Sequence, residues 1–252
     1  MNTLNQLNPL RGLTNPGPAQ QGLLGYLALQ ALVLLVWWPK SNLMHRINTV
    51  GEPTTLSAVV MFTGAALAYF ALRLGTEELA ISQPSLSASH SSEETSPWTT
   101  LRTYFSTHFV QLGYLMALCT PLILVAHSIA SVSAVGMLWI GAITAVHTTF
   151  YRLLGAWLQL RWADREALVT ITSRVVLIGA YLCATAFAPT LSHASLSFQL
   201  GQPRDGSADR LATSALQFIV TYGALSALLS VGLLRELLPR GGDRTRKSQA
   251  DP

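Results

Sequence analysis

From Thr107 to Leu160 the chain is almost continuously apolar, broken near its middle only by the small polar residues Ser128, Ser131 and Ser133. No other feature restricts the possible folds as strongly. At about 1.5 Å per helical residue, each half can cross a hydrocarbon core of about 30 Å. The stretch therefore reads as a helical hairpin, running from Thr107 to about Ala130 and returning from about Ala134 to Leu160.

Two further apolar segments lie on each side. Together they give expected spans at 22–38, 54–74, 107–130, 134–160, 167–188 and 211–234. The expected fold is an all-α membrane protein, a six-transmembrane-helix bundle over residues 22–238. An interfacial or cytoplasmic segment, 1–21, precedes it and a basic tail, 239–252, follows. Six spans use nearly all of the 252 residues, so a separate soluble catalytic domain does not fit. Composition agrees: 50% of residues are hydrophobic and 11% charged, against about a quarter charged in soluble domains.

The basic residues fix an orientation. With six spans, one side carries Arg11, Arg73, Arg102, Arg152, Arg161, Arg165, Arg174, Arg235, Arg240, Arg244, Arg246 and Lys247. The other carries Lys40, Arg46, Arg204 and Arg210. This asymmetry predicts that both termini face the cytoplasm. It also accounts for the net charge of +4 without nucleic acid, since no basic run is interleaved with aromatics.

Local features add detail. Leu4, Leu7, Leu10 and Leu13 fit either a short surface helix or a disordered tail. The first span lacks a small-residue cleavage site and is flanked by Trp37–Trp38, so it is expected to remain in the mature protein. Thr63, Gly64, Ala65, Ala66 and Ala68 give the second span a close-packing face, as Gly223, Ser226, Ala227 and Ser230 do in the sixth. Pro121 predicts a kink in the third span. The connection 75–106 has a Ser-rich core that reads as flexible, with Gly75-Thr76-Glu77-Glu78-Leu79 starting a short helix. Residues 190–210 read as a second polar connection.

Catalytic chemistry is hard to find. No phosphate-binding G-x-x-x-x-G-K-[ST], G-x-S-x-G, H-E-x-x-H or paired-carboxylate arrangement occurs, and no Asp or Glu lies within a span. Cys119 and Cys183, the two cysteines, sit in apolar segments and suit packing; no metal site or cofactor is expected. The intramembrane polar candidates are Gln30, His127, His147 and Arg152. His127 and His147 differ in depth by about 15 Å on a helical rise, too much to ligate one haem iron.

Several residues resemble the permease subunits of type 2 ABC transporters. Asn8-Pro9-Leu10-Arg11 is similar to their Asn-Pro-hydrophobic-basic opening. Gly75-Thr76-Glu77-Glu78-Leu79 is similar to their Gly-Thr-x-Glu-Leu stretch after the second span. The resemblance implies a non-enzymatic translocation path coupled through residues 75–79 to a separate ABC ATPase subunit. It further implies pairing with a second permease copy or a related permease, in a bacterial cytoplasmic membrane. The alternative is a membrane anchor subunit of a redox or assembly complex.

Overall fold

A computed structural model describes residues 18–36, 53–88, 97–130, 133–162, 165–200 and 208–237. Within them the chain is helical: α1 (Pro18–Val36), α2 (Pro53–Ala88), α3 (Pro97–Ala130), α4 (Ala134–Arg161), α5 (Glu166–Phe187), a 3₁₀ turn (Pro189–Leu191), α6 (His193–Leu200) and α7 (Ala208–Leu237). No strand occurs among the described residues. Four helical stretches are long and apolar enough to cross a membrane: Thr55–Thr76, Ala134–Arg161, Ala167–Phe187 and Ala212–Glu236. A fifth is added if the two arms of α3 form one span. This is the composition of a multi-pass membrane protein. The leucine-spaced segment at 2–13, Trp37–Trp38 and the basic tail lie outside the described residues.

Helix ends follow local chemistry. Ser133 caps α4, its hydroxyl accepting from the Gly136 N–H at 3.1 Å. Helix α5 ends at Phe187 because Pro189 cannot continue it, and the proline opens the 3₁₀ turn instead. In α3, the arms Phe105–Tyr114 and Cys119–Ser128 meet at 48°. The bend spans the carbonyl of Ala117, four residues before Pro121, where the pyrrolidine ring clashes with an ideal helix.

Two expectations change. Gly75–Leu79 does not start a helix; it lies inside α2, which runs for 36 residues, about 54 Å. The helix also takes in the first part of the Ser-rich stretch. The connection at 190–210 is not all loop either, because the 3₁₀ turn and α6 occupy 189–200 and are packed into the bundle. There Ser192, His193, Ala194, Leu196 and Ser197 are buried.

Helices α2 and α4 form the centre and run in the same direction. Gly64 and Thr144 both meet His193, and eight to eleven residues further along Gly75 meets Arg152. At that second contact the backbones touch: a Cβ on Gly75 would strike the Arg152 carbonyl, and one on Gly155 the Leu72 carbonyl. Lipid tails are as apolar as leucine, so close backbone approach, not removal from water, holds such a pair together. Around it, Leu56, Val59, Val60, Ile143, Leu196 and Phe218 fill one end, and Leu153, Ala156 and Leu233 the other. Helix α7 runs alongside α4, joined at the far end by the Arg161–Glu236 pair at 3.9 Å, with the arginine exposed and the glutamate half-buried. The C-terminal ends of α4 and α7 thus share one end of the bundle, with Arg161 and Arg235, and α2 runs toward that same end. Of the small-residue face expected on α7, Ser226 is buried, whereas a Cβ on Gly223 would meet nothing within 4 Å and Ala227 is exposed.

Candidate functional site

The most concentrated chemistry lies midway along the central pair. His147 projects from α4 and His193 from the first turn of α6, and their rings stack with centroids 5.1 Å apart and planes 22° from parallel. Both residues are almost wholly buried, at 2% and 1% exposure. Aromatic rings enclose His147: Tyr151 and Tyr222 meet it edge-on at 4.8 and 5.3 Å, and Phe218 and Tyr181 lie at 5.7 and 6.3 Å.

Why His193 sits here follows from its neighbours. Gly64 leaves the space the imidazole fills; any side chain there would overlap the ring. Thr144 Oγ1 lies 3.0 Å from Nε2, and Ser197 Oγ lies 3.4 Å from Nδ1. Ser197 also donates its proton to the His193 carbonyl at 2.7 Å, which leaves its oxygen as the acceptor for Nδ1–H. Thr144 then donates to Nε2. The set closes around a neutral imidazole protonated at Nδ1. Two further bonds fasten the segment, Ser57 Oγ donating to the Ser197 carbonyl at 3.1 Å and Tyr222 Oη to the Leu191 carbonyl at 3.2 Å. In contrast, His147 Nδ1 and the Tyr181 hydroxyl are buried with no hydrogen-bond partner among the described residues.

The stacked pair does not suit one haem iron. Axial ligands approach the metal from opposite sides with their nitrogen tips, whereas these rings present their faces to each other. No group of three or more His, Cys, Asp or Glu side chains suited to a metal ion occurs among the described residues. The node offers hydroxyls, imidazole nitrogens and aromatic faces, which is a set for binding and positioning. Among the described residues it contains no carboxylate.

The other sequence candidates are dispersed. Arg152, 1% exposed, follows Tyr151 on α4 and donates through Nη1 to Gln111 Oε1 of α3; nearby, His108 Nε2 is 2.9 Å from Thr149 Oγ1. Arg152 is therefore a fully buried group whose guanidinium joins α4 to α3. Gln30, also buried, joins α1 to α2 by donating to Thr63 Oγ1. His127 stands apart on α3, half-buried. Of residues 75–79, Gly75 is buried against α4 and Thr76 Oγ1 bonds the Arg73 carbonyl at 2.7 Å; Glu77, Glu78 and Leu79 continue α2. Cys119 is buried as packing requires, but Cys183 is exposed.

The sequence reading missed His193 because its segment, HASLSFQL, has a polar composition that reads as a loop. The available signal was eight residues without Gly or Pro directly after a proline turn. No family model, no curated protein and no solved structure matches this chain.

Proposed function

We infer that the chain is the transmembrane permease subunit of an ATP-driven ABC transporter. It has six spans with both termini cytoplasmic, in a bacterial cytoplasmic membrane. Two permease copies, or this chain and a related one, enclose the path. A separate ATPase supplies the energy, as befits a sequence with no phosphate-binding loop.

One observation carries this reading: the length of α2. Its apolar part, Thr55–Thr76, is enough for the bilayer, yet the helix continues to Ala88. The added turns begin just beyond the backbone contact of Gly75 with Arg152 and run toward the end of the bundle that bears Arg161 and Arg235. A helix clamped at that crossing and continuing to Ala88 is a lever. It carries Glu77 and Glu78, which can meet a basic groove on an ATPase. A push on the projecting turns would move α2 against α4 and reach the His147–His193 node, since both helices contact it.

The test is recruitment. Glu77→Ala/Glu78→Ala is expected to weaken capture of the ATPase by the tagged chain in a membrane pull-down, with expression and fold unchanged. Undiminished capture removes the docking assignment, and a purified complex lacking any ATPase removes the transporter reading.

A further inference from the structure

Helix α5 is the least enclosed of the membrane-length helices, with 11% of its apolar window buried. One of its faces presents Leu168, Ile171, Val175, Ile178 and Leu182 outward, a surface suited to acyl chains. Arg174 lies in the middle of that stripe and is also exposed. It stands eight residues past Glu166, about 12 Å along the axis, where half a hydrocarbon core is about 15 Å. A charge at this depth is costly and requires a counter-charge.

Arg174 makes no ion pair among the described residues. None of the six apolar segments contains Asp or Glu, so a second copy packed on this face has no intramembrane carboxylate to offer either. The direction of the side chain favours another source. Helical side chains lean toward the N-terminus, which in α5 is the end next to Arg161 and Arg165. The guanidinium is thereby drawn over the preceding turn, toward the headgroups. That turn carries exposed Thr170, and one turn beyond it exposed Ala167. At 100° per residue, Thr170 and Ala167 fall within about 40° of Arg174. The strip thus reads, from headgroup inward, a notch without bulk, a hydroxyl and a guanidinium.

We propose that this strip of α5 holds the phosphate of an anionic phospholipid, with Arg174 as the cation, Thr170 as the hydroxyl donor and the flanking apolar residues seating the acyl chains. The guanidinium can present two parallel N–H groups to phosphate oxygens. The inference is independent of the transport reading, because it rests on charge and exposure alone.

The full chain is reconstituted in phosphatidylcholine vesicles containing spin-labelled phosphatidylglycerol or spin-labelled phosphatidylcholine, and the motionally restricted fraction of each is compared. The natural chain is expected to prefer phosphatidylglycerol. Arg174→Leu should reduce that preference about fivefold, the worth of one basic residue at a membrane surface. Arg174→Lys should retain most of it, Thr170→Val should weaken it, and Arg165→Gln, half a turn away around the helix, should not change it. If Arg174→Leu does not fold, Arg174→Gln is read in its place. No preference in the natural chain, or an undiminished one in the leucine or glutamine variant, overturns the proposal. So does a photoreactive residue at Ile171 that crosslinks to a protein rather than to lipid in native membranes.

Discussion

Helices α2 and α5 have apolar stretches of equal hydropathy and similar length, yet 67% of positions are buried in the first and 11% in the second. Apolarity therefore brings a helix into the membrane without saying what it will touch there. What separates the two is the residues that allow or prevent close approach. Helix α2 places Gly64 and Gly75 where a ring and a backbone must fit, and Thr63 where Gln30 needs an acceptor. Helix α5 has Gly179 with nothing within 4 Å of a built Cβ, and a stripe of branched residues pointing away. In lipid, contact is decided by shape and by polar groups that need partners.

Substitutions at the glycines should break the comparison most sharply. Gly75→Ala and Gly155→Ala force a methyl into a carbonyl on the facing helix, so each should destabilise the bundle by about 1–3 kcal/mol, as overpacking does. Gly179→Ala on α5 should be neutral or slightly stabilising, because alanine is about 1 kcal/mol better in a helix. Thermal retention of the monodisperse peak after detergent solubilisation measures both. A loss at Gly179 equal to that at Gly155 would dissolve the distinction between the regions.

Next in size are the hydroxyls of the central node. Thr144→Val removes the donor to His193 Nε2, and Gln30→Leu removes the α1–α2 bond. Interhelical hydrogen bonds in membranes average about 0.6 kcal/mol and reach about 1.7. Thr144→Val belongs at the upper end, since it leaves a buried acceptor without its partner. Combined with His193→Phe its further effect should shrink, and the double-mutant cycle reads that coupling directly. Strict additivity would place the two side chains in separate networks.

The smallest effect is expected for the ion pair at the end of α4. Arg161 and Glu236 approach to 3.9 Å with the arginine side chain 55% exposed, and such pairs contribute at most about 1 kcal/mol. Glu236→Ala should leave thermal stability within about half a kcal/mol of the natural chain.

The positions of the helices were legible because a long apolar run leaves few choices. Four of the expected spans coincide with helices to within a few residues, and Pro121 marked the bend in α3. Two kinds of information were not legible. The polar segment 189–200 enters the bundle because Ser57, Thr144 and Gly64, from distant parts of the chain, satisfy or accommodate it. Its own residues signal a helix after the proline turn but not its burial. The continuation of α2 past Gly75 was hidden by serines and Pro84, whose weak helical preference suggested a loop. Arg174 was legible in sequence but indistinct, since only its exposure on α5 separates it from an interfacial arginine.

The central claim is that α5 crosses the bilayer and leaves α6 and the arginine-bearing ends on opposite sides. Single cysteines at Arg165 and Gln199, both exposed, in a chain with Cys119→Ala and Cys183→Ala, test it with a membrane-impermeant maleimide. The account predicts labelling of Gln199→Cys from outside intact cells, and of Arg165→Cys only after the membrane is opened. Labelling of both positions from the same side would contradict it.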